Sequence, residues 1–299
     1  MILITSKESD KETREVEKWL NFYDRKYLIE YNILNLFDFA YIKRFESIWF
    51  RKLSFVSDIN CKNFNFGKDL HFYLEKEIKS GIIFLSHQLK KKKVIGNIEN
   101  SELNKIKVLQ LAETIGLKIP KYIVTNNKRE ALLFQKKQKS IICKPITNIK
   151  VFQDKQTGNL FLSYVDALKK EEIESLPDFF FPTFIQEKIQ KRLEIKGFLF
   201  NNKIWATSIH SILLNEVIDS RLIDNHGNVS YNSHTLPEAI ENKLKKLFSN
   251  LNLNIGSFDL ILNTKGEYYF LEINPFGQFD KINKITNGII YQNIANYLM

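Results

Sequence analysis

The segment Gly256-Ser-Phe-Asp-Leu-Ile-Leu-Asn-Thr-Lys-Gly-Glu-Tyr-Tyr-Phe-Leu-Glu-Ile-Asn-Pro-Phe-Gly277 places acidic groups inside apolar runs. Two strands are expected, joined by a turn at Asn263-Thr-Lys-Gly266. Asp259 lies in the first run, and Glu272 and Asn274 close the second. Side chains two residues apart share one face of a strand, so Glu272 and Asn274 point the same way, and a hairpin brings Asp259 to that surface. Three hard oxygen donors suit Mg²⁺, an ion that keeps waters and draws further ligands from nucleotide phosphates. A surface hairpin with ordinary polar residues is the bland alternative. It leaves carboxylates in apolar strands without a partner, which is expensive.

Four more features could join such a site. Lys105 opens a helix directly after Asn104, and Lys144 ends an apolar strand just before Pro145. A lysine held at a strand end presents a point charge to a phosphate. The run Phe184-Ile-Gln-Glu-Lys-Ile189 is strand-like. Its backbone could meet an adenine edge. Glu194 opens the next strand and could take both hydroxyls of a ribose; for Glu187 and Glu194, plain surface charge is the competing reading. Asp219 and Arg221 flank Ser220 in a segment that also holds His210 and Ser211, whereas His226 and His234 read as surface residues of a polar loop.

These residues need an α/β framework. Strands are expected over 2–5, 27–31 and 47–51, a helix over 11–23 capped by Asp10, and a helix over 69–80 ended by Gly81. That alternation suggests a small doubly wound N-terminal unit. After a break at 97–102 come a helix over 104–115 stopped by Gly116, strands over 122–125 and 140–144, and a basic helix over 128–137. A hairpin over 151–164 turns at Thr157-Gly158, and a short helix covers 166–176. The remainder reads as strand-rich until a final amphipathic helix over 287–298. The chain of 299 residues is long enough for two or three subdomains with cores of their own. No apolar run is long enough to span a membrane. The start, Met-Ile-Leu-Ile-Thr-Ser, reads as a strand rather than a signal peptide. Cys61 and Cys143 have no metal-ligand spacing and read as reduced, buried thiols of a cytoplasmic protein. A formal net charge of +10 favours anionic partners such as ATP, an acidic peptide or nucleic acid. The basic run Lys90-Lys-Lys-Lys93 reads as a solvated loop face.

The order of these parts resembles the ATP-grasp superfamily over 97–299. The resemblance implies an α/β (α+β) fold with an N-terminal α/β domain over 1–98, a central lid subdomain over 99–190 and a C-terminal sheet subdomain over 191–299, with ATP between the last two. It implies phosphate lysines at Lys105 and Lys144, an adenine hinge from Gln186 to Ile189, a ribose carboxylate at Glu194, and Mg²⁺ ligands at Asp259, Glu272 and Asn274. Within that superfamily the chain looks most like the graspetide ligases, the microviridin-type enzymes that macrocyclise ribosomal peptides. The residues behind this are Trp49-Phe-Arg51, Asn104-Lys105 with Leu109-Gln-Leu-Ala112, Gly116-Leu-Lys-Ile-Pro120, Asp219-Ser-Arg221 and Glu272-Ile-Asn-Pro-Phe-Gly-Gln278. Length and the Lys/Phe/Asn-rich composition look like the grasp-with-spasm subgroup. Ser220 and Lys196 depart from the Trp and Arg that relatives often carry there. The segment after Lys144 is poor in glycine, unlike the phosphate loop of the dipeptide ligases.

The resemblance implies that an Asp or Glu carboxylate of a precursor peptide is phosphorylated by ATP, with Mg²⁺, Lys144 and Arg221 stabilising the charge and Asp219 fixing that arginine or acting as a base. A Ser or Thr hydroxyl, or a Lys amine, of the same peptide then closes an ester or amide ring. The expected partner is a peptide with a leader and an acidic core, the leader lying against the 151–164 hairpin and the 166–176 helix. No membrane and no nucleic acid are expected, and a homodimer stays open. Two other readings remain: an ATP-grasp ligase for free amino acids or a protein C-terminus, and a non-catalytic basic nucleic-acid binder that stacks bases on its 24 Phe and 12 Tyr.

Overall fold

A computed structural model describes residues 1–52, 67–89, 91–100, 102–138, 140–147, 151–154, 157–162, 165–210 and 229–299. Its first sheet is parallel, with β1 (Ile2–Thr5) flanked by β2 (Tyr27–Glu30) and β3 (Ser47–Phe50), and β4 (Lys93–Ile95) outside β3. Strand alternation divides its apolar side chains between two faces. Ile2, Ile4, Trp49 and Ile95 pack on Val16 and Leu20 of α1 (Lys11–Phe22). Leu3, Ile48 and Phe50 pack on Ile78, Ile82, Leu85 and Leu89 of α3 (Gly67–Leu89). A short α2 (Phe39–Lys43) lies between β2 and β3. Helices thus cover both faces, the doubly wound arrangement expected from the alternation.

The second sheet is antiparallel, in the order β5 (Tyr122–Asn127), β10 (Phe179–Glu187), β6 (Ile141–Lys144), β9 (Asp166–Ala167). One face carries α5 (Lys128–Gln138) and α6 (Lys170–Ser175), packed through Ala131, Phe134 and Ile173 on Ile141 and Ile185. A separate hairpin, β7 (Val151–Gln153) with β8 (Leu160–Leu162), turns where Gly158 takes a φ of +73°. The third sheet runs β13 (Ser230–Ser233), β12 (Lys203–His210), β11 (Lys191–Phe200), β14 (Ile255–Asn263), β15 (Tyr268–Asn274). α4 (Lys105–Thr114) and α7 (Glu238–Asn250) share a core with its inner residues Ile195, Leu199, Phe258, Leu260 and Phe270. The last helices, α8 (Asp280–Ile285) and α9 (Ile289–Leu298), return to the parallel sheet, where Ile290, Ile294 and Leu298 join Ile2, Ile4 and Trp49 in one core.

Four expectations need correction. Gly81 does not end a helix: α3 runs on to Leu89, and Gly81 gives room to Phe37, whose ring would lie 2.6 Å from an added Cβ. The segment 166–176 is not all helix, because Asp166 and Ala167 pair with Cys143 and Ile142 as an edge strand before α6 begins. The stretch before the last helix is not only strands. α7 carries Ile240, Leu244, Leu247 and Phe248 at helical spacing, and the last three are buried. The basic run is only partly a loop, since Lys93 belongs to β4 and Lys92 Nζ donates to the Phe45 carbonyl.

Asp10 joins the cap of α1 to a buried ion pair. Its carboxylate accepts from the Thr13 N–H at 3.0 Å and lies 3.2 Å from Arg51 Nε and 2.6 Å from Lys52 Nζ. Burial works against the charge, but Arg51, Lys52 and Thr13 outweigh it and hold the pKa at about 2, below the ordinary 3.8. A depressed carboxylate stabilises the fold above its unfolded pKa and loses that contribution as pH falls through the folded value. Asp10→Asn should therefore lower stability by about 2 kcal/mol at neutral pH. The gap between variant and native protein should close between pH 4 and pH 2. Urea denaturation across that range measures it, and a gap that stays constant with pH would refute the assignment.

Candidate active site

The β14–β15 hairpin sets Asp259 opposite Glu272 and Ser257 opposite Asn274. Its turn is tied by Asn263 Oδ1, which accepts from the N–H groups of Lys265 and Glu267 at 2.9 Å each, and Gly266 takes the left-handed φ of +81° there. Across the sheet, Lys196 of β11 faces Asp259, and its Nζ lies 3.3 Å from that carboxylate and 3.9 Å from Glu194. Burial pushes the Asp259 carboxyl above the usual range, Lys196 opposes the shift, and Glu272 adds to it. Asp259 in turn holds the Lys196 ammonium well above its ordinary value. Lys105, the first residue of α4, reaches Glu272 at 3.6 Å; Asn104 caps that helix by accepting from the N–H groups of Ile106 and Lys107.

Lys144 and Gln186 share a face of the second sheet, because Lys144 is paired with Phe184 and Ile142 with Gln186. Burial pulls the Lys144 ammonium down to about 8, with Glu272 opposing and Lys105 contributing to the fall. Gln186 is 1% exposed, and among the described residues neither its Oε1 nor its Nε2 has a hydrogen-bond partner. The hinge is pinned beside it: the Glu187 N–H donates to the Lys121 carbonyl at 2.8 Å and the Lys188 N–H to the Ser140 carbonyl at 2.9 Å. The Glu187 side chain accepts from the Lys121 N–H at 3.2 Å. Those two backbone donors hold the hinge in place rather than facing a ligand. Ile189 is buried at its end.

Glu194 is buried, as is Lys191, whose Nζ lies 3.1 Å from it. Sequence reasoning missed Lys191. Residues three apart on a regular strand point to opposite faces, but a register shift between Lys191 and Leu193 brings these two together. Lys196 entered the reading only as a departure from the family pattern, and its place opposite Asp259 follows from cross-strand register. Arg51 is buried, and its Nη1 donates to the carbonyls of Phe276 and Gly277 at 2.9 and 3.1 Å. His234 is half-buried, with Nε2 3.1 Å from Tyr268 Oη. Cys143 is half-buried and meets the expectation of a buried thiol only in part. Asp219, Ser220, Arg221, Ser211, His226 and Cys61 lie outside the described residues.

The groups present fit a magnesium nucleotide. Among the described residues no three His, Cys, Asp or Glu side chains form a closed metal cluster. Two carboxylates and an amide are an open set, which suits an ion that completes its shell with water and phosphate oxygens. Lys105, Lys144, Lys191 and Lys196 bring positive charge to the same place, and the buried amide of Gln186 has donor and acceptor capacity for a polar ring edge.

A buried amide without a partner destabilises a fold by about 1 to 3 kcal/mol. Replacing it with an apolar side chain of similar length should relieve that cost. Gln186→Met is expected to raise the stability of the ligand-free protein in urea by up to about that amount and to weaken nucleotide binding. Lower stability together with native nucleotide affinity would show that the amide serves the fold alone.

No protein-family model and no curated protein sequence matches the chain. Solved structures do match. The chain is similar to a RiPP-associated ATP-grasp ligase from Chryseobacterium gregarium in complex with ADP and a leader and core peptide. The TM-score is 0.81 at 20% identity, over 99% of this chain and 96% of that one. It is similar to the macrocyclase MdnC from Microcystis aeruginosa MRC bound with the precursor peptide MdnA, with a TM-score of 0.80 at 21% identity, over 100% of this chain and 99% of that one. The D-alanine–D-alanine ligase of Bacillus anthracis overlays at 0.55 and 15% identity, over 99% of this chain and 94% of that one. With its helix-covered parallel sheet followed by two antiparallel sheets that bring the lysines and carboxylates together, the protein has the ATP-grasp fold.

Proposed function

We propose that the protein is an ATP-dependent ligase that closes rings in a ribosomally made precursor peptide. The observation that carries this reading is the set of Glu194, Asp259 and Glu272 facing Lys105, Lys191 and Lys196 across the end of the third sheet, with Lys144 in electrostatic reach. The choice of a peptide over a small amino acid is supported by full-length likeness to a ligase and a macrocyclase that hold precursor peptides, closer than the likeness to a dipeptide ligase. A net charge of +10 suits an acidic core peptide. Phe45, Phe198, Phe248, Phe258, Phe270 and Phe279 are fully buried and are closed to base stacking, whereas Phe22, Phe72, Phe84, Phe179 and Phe181 are exposed.

In this reading residues 1–98 form the N-terminal domain, 99–190 the lid with the leader site near β7, β8 and α6, and 191–299 the catalytic sheet. Among the described residues no helix is long and apolar enough to cross a membrane, and a cytoplasmic location fits the use of ATP. Glu194 holds the ribose, the segment from Gln186 to Ile189 receives the adenine, and Lys105 and Lys144 bind phosphate oxygens. Mg²⁺ held by Asp259, Glu272 and Asn274 would neutralise charge on the phosphates. Arg221 orients a peptide carboxylate toward the γ-phosphorus, and Asp219 steadies the arginine. The carboxylate oxygen bonds to that phosphorus as ADP leaves. A Ser or Thr hydroxyl or a Lys amine then attacks the acyl carbon, loses its proton, and expels phosphate. Both reacting groups belong to one peptide, so proximity supplies much of the rate.

Incubation with ATP, Mg²⁺ and a peptide encoded beside the gene tests this: each ring closed lowers the product mass by one water. Free amino acids consumed in place of the peptide would favour the alternative ligase. Glu272→Ala should fold and show no turnover, and full activity would remove it from the site. Lys144→Ala should lose about 10²–10³ in rate, as for removal of one preorganised donor. Arg221→Lys keeps the charge but loses the planar fork that can hold a carboxylate and a phosphate oxygen together. It should bind ATP and leave the peptide mass unchanged, whereas native water losses at the native rate would place the arginine elsewhere.

A further inference from the structure

In the parallel sheet the strand order reverses between β1 and β3. In open α/β sheets the crevice beyond the carboxyl ends of the strands at such a switch point is where ligands bind. Here Thr5 and Ser6 leave β1, Arg51 and Lys52 leave β3, and the start of α1 adds Asp10, Glu12 and Thr13. The N–H groups of Arg51 and Lys52 both donate to the Thr5 carbonyl, at 3.1 and 3.2 Å. The crevice is filled by the chain itself, by the loop that follows Asn274. Arg51 Nη1 binds the carbonyls of Phe276 and Gly277 at 2.9 and 3.1 Å, while Nε and Nη2 lie 3.2 and 3.3 Å from Asp10 and Glu12. The other oxygen of Glu12 accepts from the Phe279 N–H at 3.2 Å, and the guanidinium lies 5.5 Å from the centre of the Phe279 ring.

The same loop determines where Asn274 points. Asn274 Oδ1 accepts from the Phe276 N–H at 3.0 Å, and its carbonyl accepts from the Gly277 N–H at 3.1 Å. An amide oxygen has two lone pairs, so one remains for a cation. Gly277 closes the turn against Ser257, the strand partner of Asn274: a Cβ there would lie 1.7 Å from the serine oxygen.

We propose that Arg51 is a positioning residue for Asn274: the N-terminal sheet uses its switch-point crevice to clamp the 276–279 loop and so aims the amide oxygen at the nucleotide's Mg²⁺. This rests on the reading of Asp259, Glu272 and Asn274 as Mg²⁺ ligands. A lysine at position 51 keeps the charge but cannot span two carbonyls and two carboxylates with a planar fork. Groups that orient a metal ligand typically contribute 10- to 100-fold in metal affinity.

Calorimetric titration of the full chain with ADP, first in EDTA and then at rising Mg²⁺, provides the test. Arg51→Lys should bind Mg²⁺-free ADP with the native Kd and need about 10- to 100-fold more Mg²⁺ to tighten it. Glu12→Gln leaves an acceptor for Phe279 and removes one charge from Arg51; it should shift the Mg²⁺ requirement the same way by less, and it serves if Arg51→Lys does not fold. A role confined to stability would lower the thermal midpoint and leave the Mg²⁺ requirement native in whichever variant folds, and that result overturns the clamp. Native protein that binds no ADP at all overturns the nucleotide reading and, with it, the clamp.

Discussion

The constraint on which the site depends is that carboxylates taken into a sheet face must meet positive charge. Glu194 is buried, and Asp259 and Glu272 lie side by side on adjacent strands. An uncompensated charge in such a place costs several kcal/mol. The cations come from separate parts of the chain: Lys105 from the start of α4, Lys144 from the end of β6, and Lys191 and Lys196 from β11. Pairing of Lys105 with Glu272 ties the start of α4 to the third sheet. Together the pairs create a place where lysines and carboxylates alternate.

A second ionic centre lies beside the loop that follows β15. Arg51 is enclosed by Asp10, Glu12 and two carbonyls of the loop after β15. Removing one member of a buried network leaves charges without partners, so the N-terminal sheet and the C-terminal hairpin are held in one arrangement. The core shared by Ile2, Ile4 and Trp49 with Phe198, Phe279 and Ile290 adds apolar area to the same junction. Gly197 shows how close the packing is in the third sheet, where a Cβ would lie 2.0 Å from the ring of Phe258.

Much of the framework was legible because local rules dictated it. Asp10 and Asn104 are caps, and Gly116 and Gly266 take the positive φ that turns demand. The 256–277 hairpin was readable from two apolar runs about a turn, and with it the shared face of Asp259, Glu272 and Asn274. Reading failed where a nonlocal partner overrode the local signal. Gly81 looks like a helix stop, yet it sits mid-helix because Phe37 packs on it. Asp166 and Ala167 look like the start of a helix but complete an edge of the second sheet.

The sequence by itself determined most of the element types, which follow from short-range periodicity, and nominated the candidate phosphate and metal residues through their chemistry and the family resemblance. Only the tertiary structure decided which lysine meets which carboxylate. A register shift in β11 brought Lys191 onto Glu194, cross-strand pairing set Lys196 on Asp259, and the return of the loop after Asn274 to the parallel sheet gave Arg51 its partners. Register, bulges and chain return are settled by contacts between segments far apart in sequence, and no local pattern encodes a distance between them.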